Sequence, residues 1–306
     1  MKALLIMNPG SRSGRATGLW RGWEDGLKNA GVRFTSVQTK GLGHAFELAR
    51  SAADCDTVVA VGGDGTVNEV LDGMIQSGNP DLRMGVLYSG TSPDFCRFHG
   101  IPTDPKSALR VLLAEKSRRV DAARITYRDN VGAERVAHFG CSCNIGMGAS
   151  VARRSNRWRR FLGDKLGTAA AVLRTLMANR LVNLDLEIDG ETRHLPKTNN
   201  LSMAKNPYLA SGLKLNLELR PDDGQMWLVG IHGKSRIGMC RILPGFYSGS
   251  VAGAPDVFLK SCRRVTVRSQ APQEIEFDGD PRGFLPVHIE VLPKTLNLIG
   301  GSDERV

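Results

Sequence analysis

The chain lacks long apolar runs. No stretch of its 306 residues approaches the roughly 18 consecutive apolar residues that a membrane-spanning helix needs, so any membrane contact is expected to be peripheral. The opening MKALLIMNPGS has an apolar run that stops at Asn8-Pro9-Gly10. It is too short for the apolar centre of a secretory signal, and no small-residue cleavage site follows it. Paired cysteines are missing as well: Cys55, Cys96, Cys141, Cys143, Cys240 and Cys262 include no CxxC spacing. With apolar neighbours around most of them, free buried thiols in a reducing cytoplasm are expected rather than disulfides or a metal site. His138, His194 and His288 have no partners at metal-binding spacing and read as structural. Internal repeats and low-complexity linkers are absent too.

What remains is an ordinary globular composition, 41% apolar and 24% charged, in a chain long enough for two medium domains with their own cores. The formal net charge is +10. A basic balance points to an anionic partner, whether nucleic acid, an anionic membrane or a phosphorylated ligand, and does not choose among them.

Residues 1–117 alternate short apolar runs with helical patterns. Strands are expected at 3–7, 32–37, 57–61 and 84–88, and helices at about 17–30, 44–53, 67–76 and 105–115. The run 57–61 is β-branched and continuous, as a strand buried on both faces should be. Such alternation predicts a parallel, doubly wound α/β sheet with ligands in the loops beyond the strands' carboxyl ends. From about 118 onward strands dominate, at 118–128, 134–144, 181–188, 199–204, 213–219, 225–231, 263–268, 273–277 and 286–291. Few crossover helices separate them, which predicts an antiparallel β-sandwich or half-open barrel. A helical insertion is expected at about 150–178, and a shorter helical stretch at 235–242.

The strongest local signal follows the third strand: Gly62-Gly63-Asp64-Gly65-Thr66-Val67-Asn68-Glu69. Glycines around an aspartate let backbone amides approach a polyanion closely. Thr66 is a natural N-cap, and helix N-termini attract phosphate. The loop has neither the Gly-Lys-Ser/Thr of a Walker A loop nor the GxGxxG of a dinucleotide fingerprint.

GGDGT after such a strand resembles the hallmark of the superfamily holding diacylglycerol kinases, sphingosine and ceramide kinases, NAD kinases and phosphofructokinases. The extension GGDGTVNEV is similar to its lipid-kinase branch. Other segments resemble family motifs in order. Residues 7–14, MNPGSRSG, are similar to the N-terminal nucleotide loop, and Thr39 to a threonine before the second helix. Residues 89–97, SGTSPDFCR, resemble GTxNDFAR, and Gly100-Ile101-Pro102 continues them. The stretch from Phe139-Gly140 to Gly148-Ala149 resembles NxGxGFDA, and that from Asn206-Pro207 to Asp222-Asp223-Gly224 resembles PxAxxDDG. Glu276-Phe277-Asp278-Gly279-Asp280-Pro281 resembles the C-terminal DGE motif. The likeness covers residues 2 to about 299.

The resemblance implies an N-terminal doubly wound parallel-sheet nucleotide-binding domain over 1–117 and a C-terminal antiparallel β-sandwich lipid-substrate domain over 118–306, with the active site in the cleft between. It implies ATP and Mg2+. Phosphoryl transfer needs the phosphates held, their charge neutralised, and a hydroxyl deprotonated and aligned. Gly62, Gly63, Gly65 and Thr66 would supply amides and a hydroxyl to the phosphates, while Asn8, Pro9, Ser13, Gly14, Thr39, Asn68 and Thr91 would line the nucleotide. Asp64 and Asp94 would act through Mg2+ or through hydrogen bonds; Asp94 equally suits a helix N-cap.

Asp278 and Asp280 flank Gly279 in a tight turn, where one carboxylate can accept the substrate proton while the other orients it or holds water around Mg2+. By position Asp280 matches the family's acidic base, and Asp278 is the second candidate. The turn Asp222-Asp223-Gly224 is by itself a plausible type I turn. The resemblance gives it a structural Mg2+ held by Asp223 and by backbone carbonyls such as that of Gln225. Four positions depart from the pattern: Pro93 stands for an Asn, Asp280 for a Glu, and Met147-Gly148 for Phe-Asp.

The expected activity is ATP- and Mg-dependent phosphorylation of a hydroxyl on a lipid such as diacylglycerol. An NAD kinase-type enzyme with a soluble substrate is the alternative, against which NPGSRSG, GTSPDF and DGD argue. A non-catalytic relative binding membrane or nucleic acid is the third reading. Five arginines, Trp158 and Phe161 in and beside the stretch from Arg153 to Phe161 suit an anionic bilayer surface. The expected location is the cytoplasm with peripheral membrane contact. Nucleic acid is the rival partner for such a patch but not the expected one, and the sequence sets no oligomeric state.

Overall fold

The computed structural model describes residues 1–11, 17–147, 181–209, 213–239, 241, 256–278 and 280–300. The insertion expected at 150–178, with the Arg153 to Phe161 stretch, lies outside them, as do Ser13, Gly14, Cys240 and Gly279. The chain divides into two units: Met1–Ala122 together with Pro293 onward, and Ala123–Leu292. The end of the chain therefore belongs with the first unit, where the sequence reading had placed it in the second.

Unit 1 contains β1 (Lys2–Met7), α1 (Thr17–Asn29), β2 (Arg33–Gln38), α2 (His44–Arg50), β3 (Thr57–Gly62), α3 (Asp64–Gln76), β4 (Arg83–Tyr88), α4 (Asp94–Phe98) and α5 (Pro105–Leu113). The strands are parallel in the order β2-β1-β3-β4. Every residue of β3 is buried, as its unbroken apolar run requires. Val59 and Val61 pack with Leu5, Met7 and Leu87 under Trp20, Trp23 and Leu27 of α1 and Ala108 and Leu112 of α5. Val58 and Ala60 alternate with them and face the other side of the sheet, where α2 and α3 pack together and on β1 and β3. α5 starts as its sequence dictates: Pro105 fits the first helical position, and Asp104 caps it by accepting the Ser107 N–H at 2.9 Å.

Unit 2 is antiparallel. β5 (Ser117–Arg128) enters it from unit 1 and pairs with β6 (Glu134–Phe139). Then come β7 (Ser142–Gly146), β8 (Val182–Ile188), β9 (Glu191–Ala204), a short hairpin of β10 (Tyr208–Leu209) and β11 (Leu213–Lys214), β12 (Met226–His232), β13 (Val257–Cys262), β14 (Arg264–Arg268), β15 (Glu274–Phe277) and β16 (Asp280–Ile299). One layer runs β13-β12-β9-β7-β15-β16, and a second runs β9-β8-β14-β16 with β5 and β6 beyond.

Two long strands serve both layers. β9 pairs with β8 through residues 191–198 and with β7 through 200–204; β16 pairs with β15 through 280–284 and with β14 through 287–290. The core between the layers includes Ile145, Leu184, Leu201, Met203, Val265, Ile275, Phe277 and Ile289. This is the expected sandwich. The strand expected at 134–144 is two strands separated at Gly140-Cys141, that at 213–219 shrinks to two residues, and β13 had no sequence expectation. Of the helical stretch at 235–242, residues 236–239 form one turn.

The far end of β16 returns to unit 1, where Asn297 and Leu298 pair in parallel with Arg83 and Met84 of β4. All described cysteines are free thiols. No helix among the described residues is long and apolar enough to cross a membrane.

Candidate active site

The strand order of unit 1 reverses between β1 and β3. From β1 the chain passes through α1 to β2 on one side; from β3 it passes through α3 to β4 on the other. The loops after β1 and β3 therefore diverge, and the crevice between them is where doubly wound sheets take ligands. α3 starts at Asp64, immediately after β3, with Gly63 extended in the N-cap position (φ −93°, ψ −171°). The first rung of the helix is the Val67 N–H on the Gly63 carbonyl at 3.0 Å, so the amides of residues 64–66 precede the ladder at its positive end. Thr66, expected as the N-cap, lies instead inside the first turn, because the helix begins earlier than the apolar periodicity suggested.

The three loops are braced against one another. Asn8 Nδ2 donates to Thr66 Oγ1 at 2.8 Å, and Asn8 Oδ1 accepts the Gly10 N–H at 2.9 Å. Ser11 Oγ donates to the Ser89 carbonyl at 2.7 Å, and the Ser89 N–H donates to the Gly62 carbonyl at 2.8 Å. Gly63 and Gly90 meet backbone to backbone: a Cβ on Gly90 would stand 2.5 Å from Gly63 Cα and 2.5 Å from the Tyr88 hydroxyl oxygen. That hydroxyl donates to Asp64 Oδ2 at 2.6 Å and accepts the Ser92 N–H at 3.0 Å. Burial, with the Asp64 charge beside it, raises the Tyr88 pKa far above its ordinary value, so Tyr88 stays a donor. The phenol bonds the Asp64 carboxylate without neutralising its charge.

The other predicted nucleotide residues of unit 1 lie on the same elements. Thr39 is buried just past β2, its N–H on the Met7 carbonyl at 2.8 Å. Pro9 is half-buried beside Asn8, Asn68 is buried on α3, and Thr91 is exposed after β4. Pro93, rather than Asp94, takes the N-cap position of α4. Asp94 starts that helix, accepting Ser92 Oγ–H at 3.2 Å and pairing with Arg97 at 3.6 Å. Sequence reasoning missed Glu69. Its carboxylate, from α3, accepts the Gly43 N–H at 2.8 Å and the Ala45 N–H at 3.1 Å, capping α2 from outside. No spacing rule marks a carboxylate on one helix as the cap of another.

In unit 2, Asp278 takes a left-handed backbone conformation (φ +48°). Its carboxylate accepts the N–H groups of Gly140 (3.0 Å), Cys141 (3.0 Å) and Ser142 (2.9 Å), and its own N–H donates to the Ser142 carbonyl at 3.1 Å. Burial pushes its pKa up to about 6, against the pull of these donors and of the Arg282 guanidinium. Asp278 thus clamps the break between β6 and β7. Next to it, Asn144 Nδ2 donates to the buried Glu276 carboxylate at 2.7 Å. Asp280 opens β16, its backbone paired with Phe277.

Residues 2–125 match the family described as the diacylglycerol kinase catalytic domain, and residues 141–300 that described as the YegS C-terminal NAD kinase beta sandwich-like domain. The chain belongs to the diacylglycerol kinase-like family. Among its relatives, a protein named diacylglycerol kinase from Mycobacterium tuberculosis (strain ATCC 25618 / H37Rv) is 26% identical over 302 residues, covering 97% of this chain and 94% of that one. One of the same name from Staphylococcus aureus (strain bovine RF122 / ET3-1) is 26% identical over 289 residues, 90% of this chain and 85% of that one. The crystal structure of a diacylglycerol kinase from Bacillus anthracis str. Sterne superposes with a TM-score of 0.70 at 19% identity, over 98% of this chain and 97% of that one. Yeast NADH kinase complexed with NADH shares the fold more distantly, with a TM-score of 0.55 at 13% identity over 97% and 82% of the two chains.

For a diacylglycerol kinase-like chain, the acidic turn after β11 is the place where the resemblance put a structural Mg2+. The residues there do not fit one. Asp223 Oδ1 accepts the Gln225 N–H at 3.0 Å and the Lys205 ammonium at 3.2 Å, while Asp223 Oδ2 accepts the Arg220 N–H at 2.7 Å. Gln225 meets Asp223 through its backbone N–H. Two N–H donors and a buried cation take three of the roughly four lone-pair sites of this carboxylate, and the cation stands where a divalent ion would need to be. No group of three or more His, Cys, Asp or Glu among the described residues could hold a metal ion. A Mg2+ accompanying the nucleotide is a different case, since such ions are held mainly by phosphate oxygens, with one or two carboxylates. The Asp64 carboxylate, in the first turn of α3, fits that role.

Proposed function

We propose that this chain is an ATP-dependent lipid kinase that phosphorylates a hydroxyl of a lipid such as diacylglycerol. The observation that carries this reading is the set of amides after β3, braced by the Asn8–Thr66 hydrogen bond and the Gly63–Gly90 contact, in a chain of the diacylglycerol kinase-like family. Amides at a helix start favour an anion, and here they would take the triphosphate. Asn8, Pro9, Thr39, Asn68 and Thr91, with Ser13 and Gly14, would line the rest of the nucleotide. Mg2+ bound with the nucleotide would neutralise phosphate charge, with Asp64 and Asp94 as its carboxylates.

In the reaction, Asp280 accepts the proton of the lipid hydroxyl as its oxygen bonds to the γ-phosphorus. The bond from that phosphorus to the bridging oxygen breaks, leaving ADP and a lipid phosphate. Asp278, holding three backbone amides, fixes the turn from which Asp280 departs. The reading requires the two units to present these groups to one bound ATP. It includes peripheral contact of a cytoplasmic protein with an anionic bilayer through the stretch from Arg153 to Phe161.

The test is to incubate the purified protein with ATP and Mg2+ and vesicles carrying diacylglycerol, a sphingoid base, ceramide or phosphatidylglycerol, or with free NAD, and to read phosphorylated product by mass. A phosphorylated lipid is expected. Asp280→Ala should lower turnover by about 100- to 10,000-fold with an unchanged circular dichroism spectrum. Transfer to NAD alone would replace the reading with the soluble-substrate kinase. No transfer by the folded wild type would leave a non-catalytic relative.

A further inference from the structure

We propose that the ammonium of Lys205 is the built-in cation of the acidic turn at residues 220–225, doing there what a divalent metal would otherwise do. Lys205 directly follows β9, and its side chain is 2% exposed. Its Nζ lies 3.1 Å from the Arg220 carbonyl oxygen and 3.2 Å from Asp223 Oδ1. A carbonyl and a carboxylate oxygen converging on one positive centre is the donor chemistry of a hard metal ion. Here an ammonium on the protein's own chain is that centre. A buried charge of this kind is tolerated only where partners meet it, and the turn supplies them.

A divalent ion added at the same oxygens would sit against the ammonium, and the two would repel strongly in so buried a place. Other groups of the turn already face inward: the Arg220 and Gln225 N–H groups take two further positions on Asp223.

The same lysine reaches further through its backbone. The Lys205 N–H donates to the Cys141 carbonyl at 2.8 Å, and the Cys141 N–H is held by Asp278 at 3.0 Å. Asn206 adds a bond from Nδ2 to Cys141 Sγ at 3.4 Å. A continuous line, Asp223 to Lys205 to Cys141 to Asp278, therefore runs within unit 2 from the acidic turn to the clamp beside Asp280. The ammonium is a positioning group, not a catalytic one.

The test reads metal content and thermal unfolding of the full-length protein without nucleotide, so it stands whether or not the lipid kinase reading does. Expected are no stoichiometric divalent metal in the purified wild type, a Tm that neither chelator nor added Mg2+ moves, and a Tm lower by about 10 °C in Lys205→Met. Asp223→Asn should change Tm little in the Lys205→Met background, whereas in the wild type it strands the ammonium and lowers Tm. A wild-type Tm that falls on chelation, or a Lys205→Met protein that melts with the wild type, would overturn the proposal. If Lys205→Met does not fold, the metal content and chelator response of the wild type still decide it.

Discussion

Asp278 shows what a single side chain can hold. Both its oxygens accept backbone N–H groups from residues 136 to 138 positions away in the chain. Asp278→Asn keeps one acceptor and turns an NH2 toward amides, which should cost about 1–3 kcal/mol in urea unfolding. The pH dependence has a definite sign. A folded pKa of about 6, above the roughly 3.9 of a free Asp, means that the folded protein binds the extra proton between about pH 4 and 6. The Asp278 contribution to stability is thus full at the acid end of that window, declines as pH rises through it, and is flat above. Unfolding measured from pH 4 to 7 should show this slope in the wild type and lose it in Asp278→Asn.

At the glycine loop, Gly90→Ala would drive a methyl into Gly63 and the Tyr88 hydroxyl. A stability loss of about 1–3 kcal/mol and weaker ATP binding by calorimetry are expected. The loop was legible in the sequence because its residues are neighbours, Gly62 to Thr66 following one β-branched strand. The posture of Asp278 was not, because its donors are remote. The acidic turn poses a related difficulty: Asp223 and Gln225 are two residues apart, but Lys205, which we propose as their cation, follows β9, far from them in sequence.

Among the elements, α2 has no cap of its own. Gly43 occupies its N-cap position without a side-chain bond, and Glu69 of α3 supplies the missing carboxylate. Glu69→Gln leaves one of the two N–H groups facing an NH2 and removes a negative charge from a helix start. A loss of about 1–2 kcal/mol is expected, with hydrogen exchange at Ala45 and its neighbours accelerated more than that in α5. β3 and β4 were readable because burial on both faces writes a nearly unbroken apolar run. The antiparallel half was less so. The strand expected at 286–291 is the middle of β16, one strand of 20 residues that also takes in Pro281 and Pro293. Gly140 and Cys141 broke an apparently continuous strand because their amides serve Asp278.

For the whole molecule, the decisive feature is the route of the chain. Leu296, Leu298 and Ile299 are buried, and the strand carrying them pairs with β4. A chain ending at Leu292 would uncover the edge of β4 and those apolar contacts. Hydrogen exchange should then show β3 and β4 losing protection while β12 and β9 of unit 2 keep theirs. Sequence reading put everything after residue 117 in one domain and could not see this return, since no local pattern says which sheet such a strand joins. The route also sets an order in time. A ribosome delivers the first hundred residues early, yet their sheet gains the strand beside β4 only when Asn297 and Leu298 have been translated. The nascent sheet must therefore wait, with β4 unpaired on one side, until residues 297–298 have left the exit tunnel.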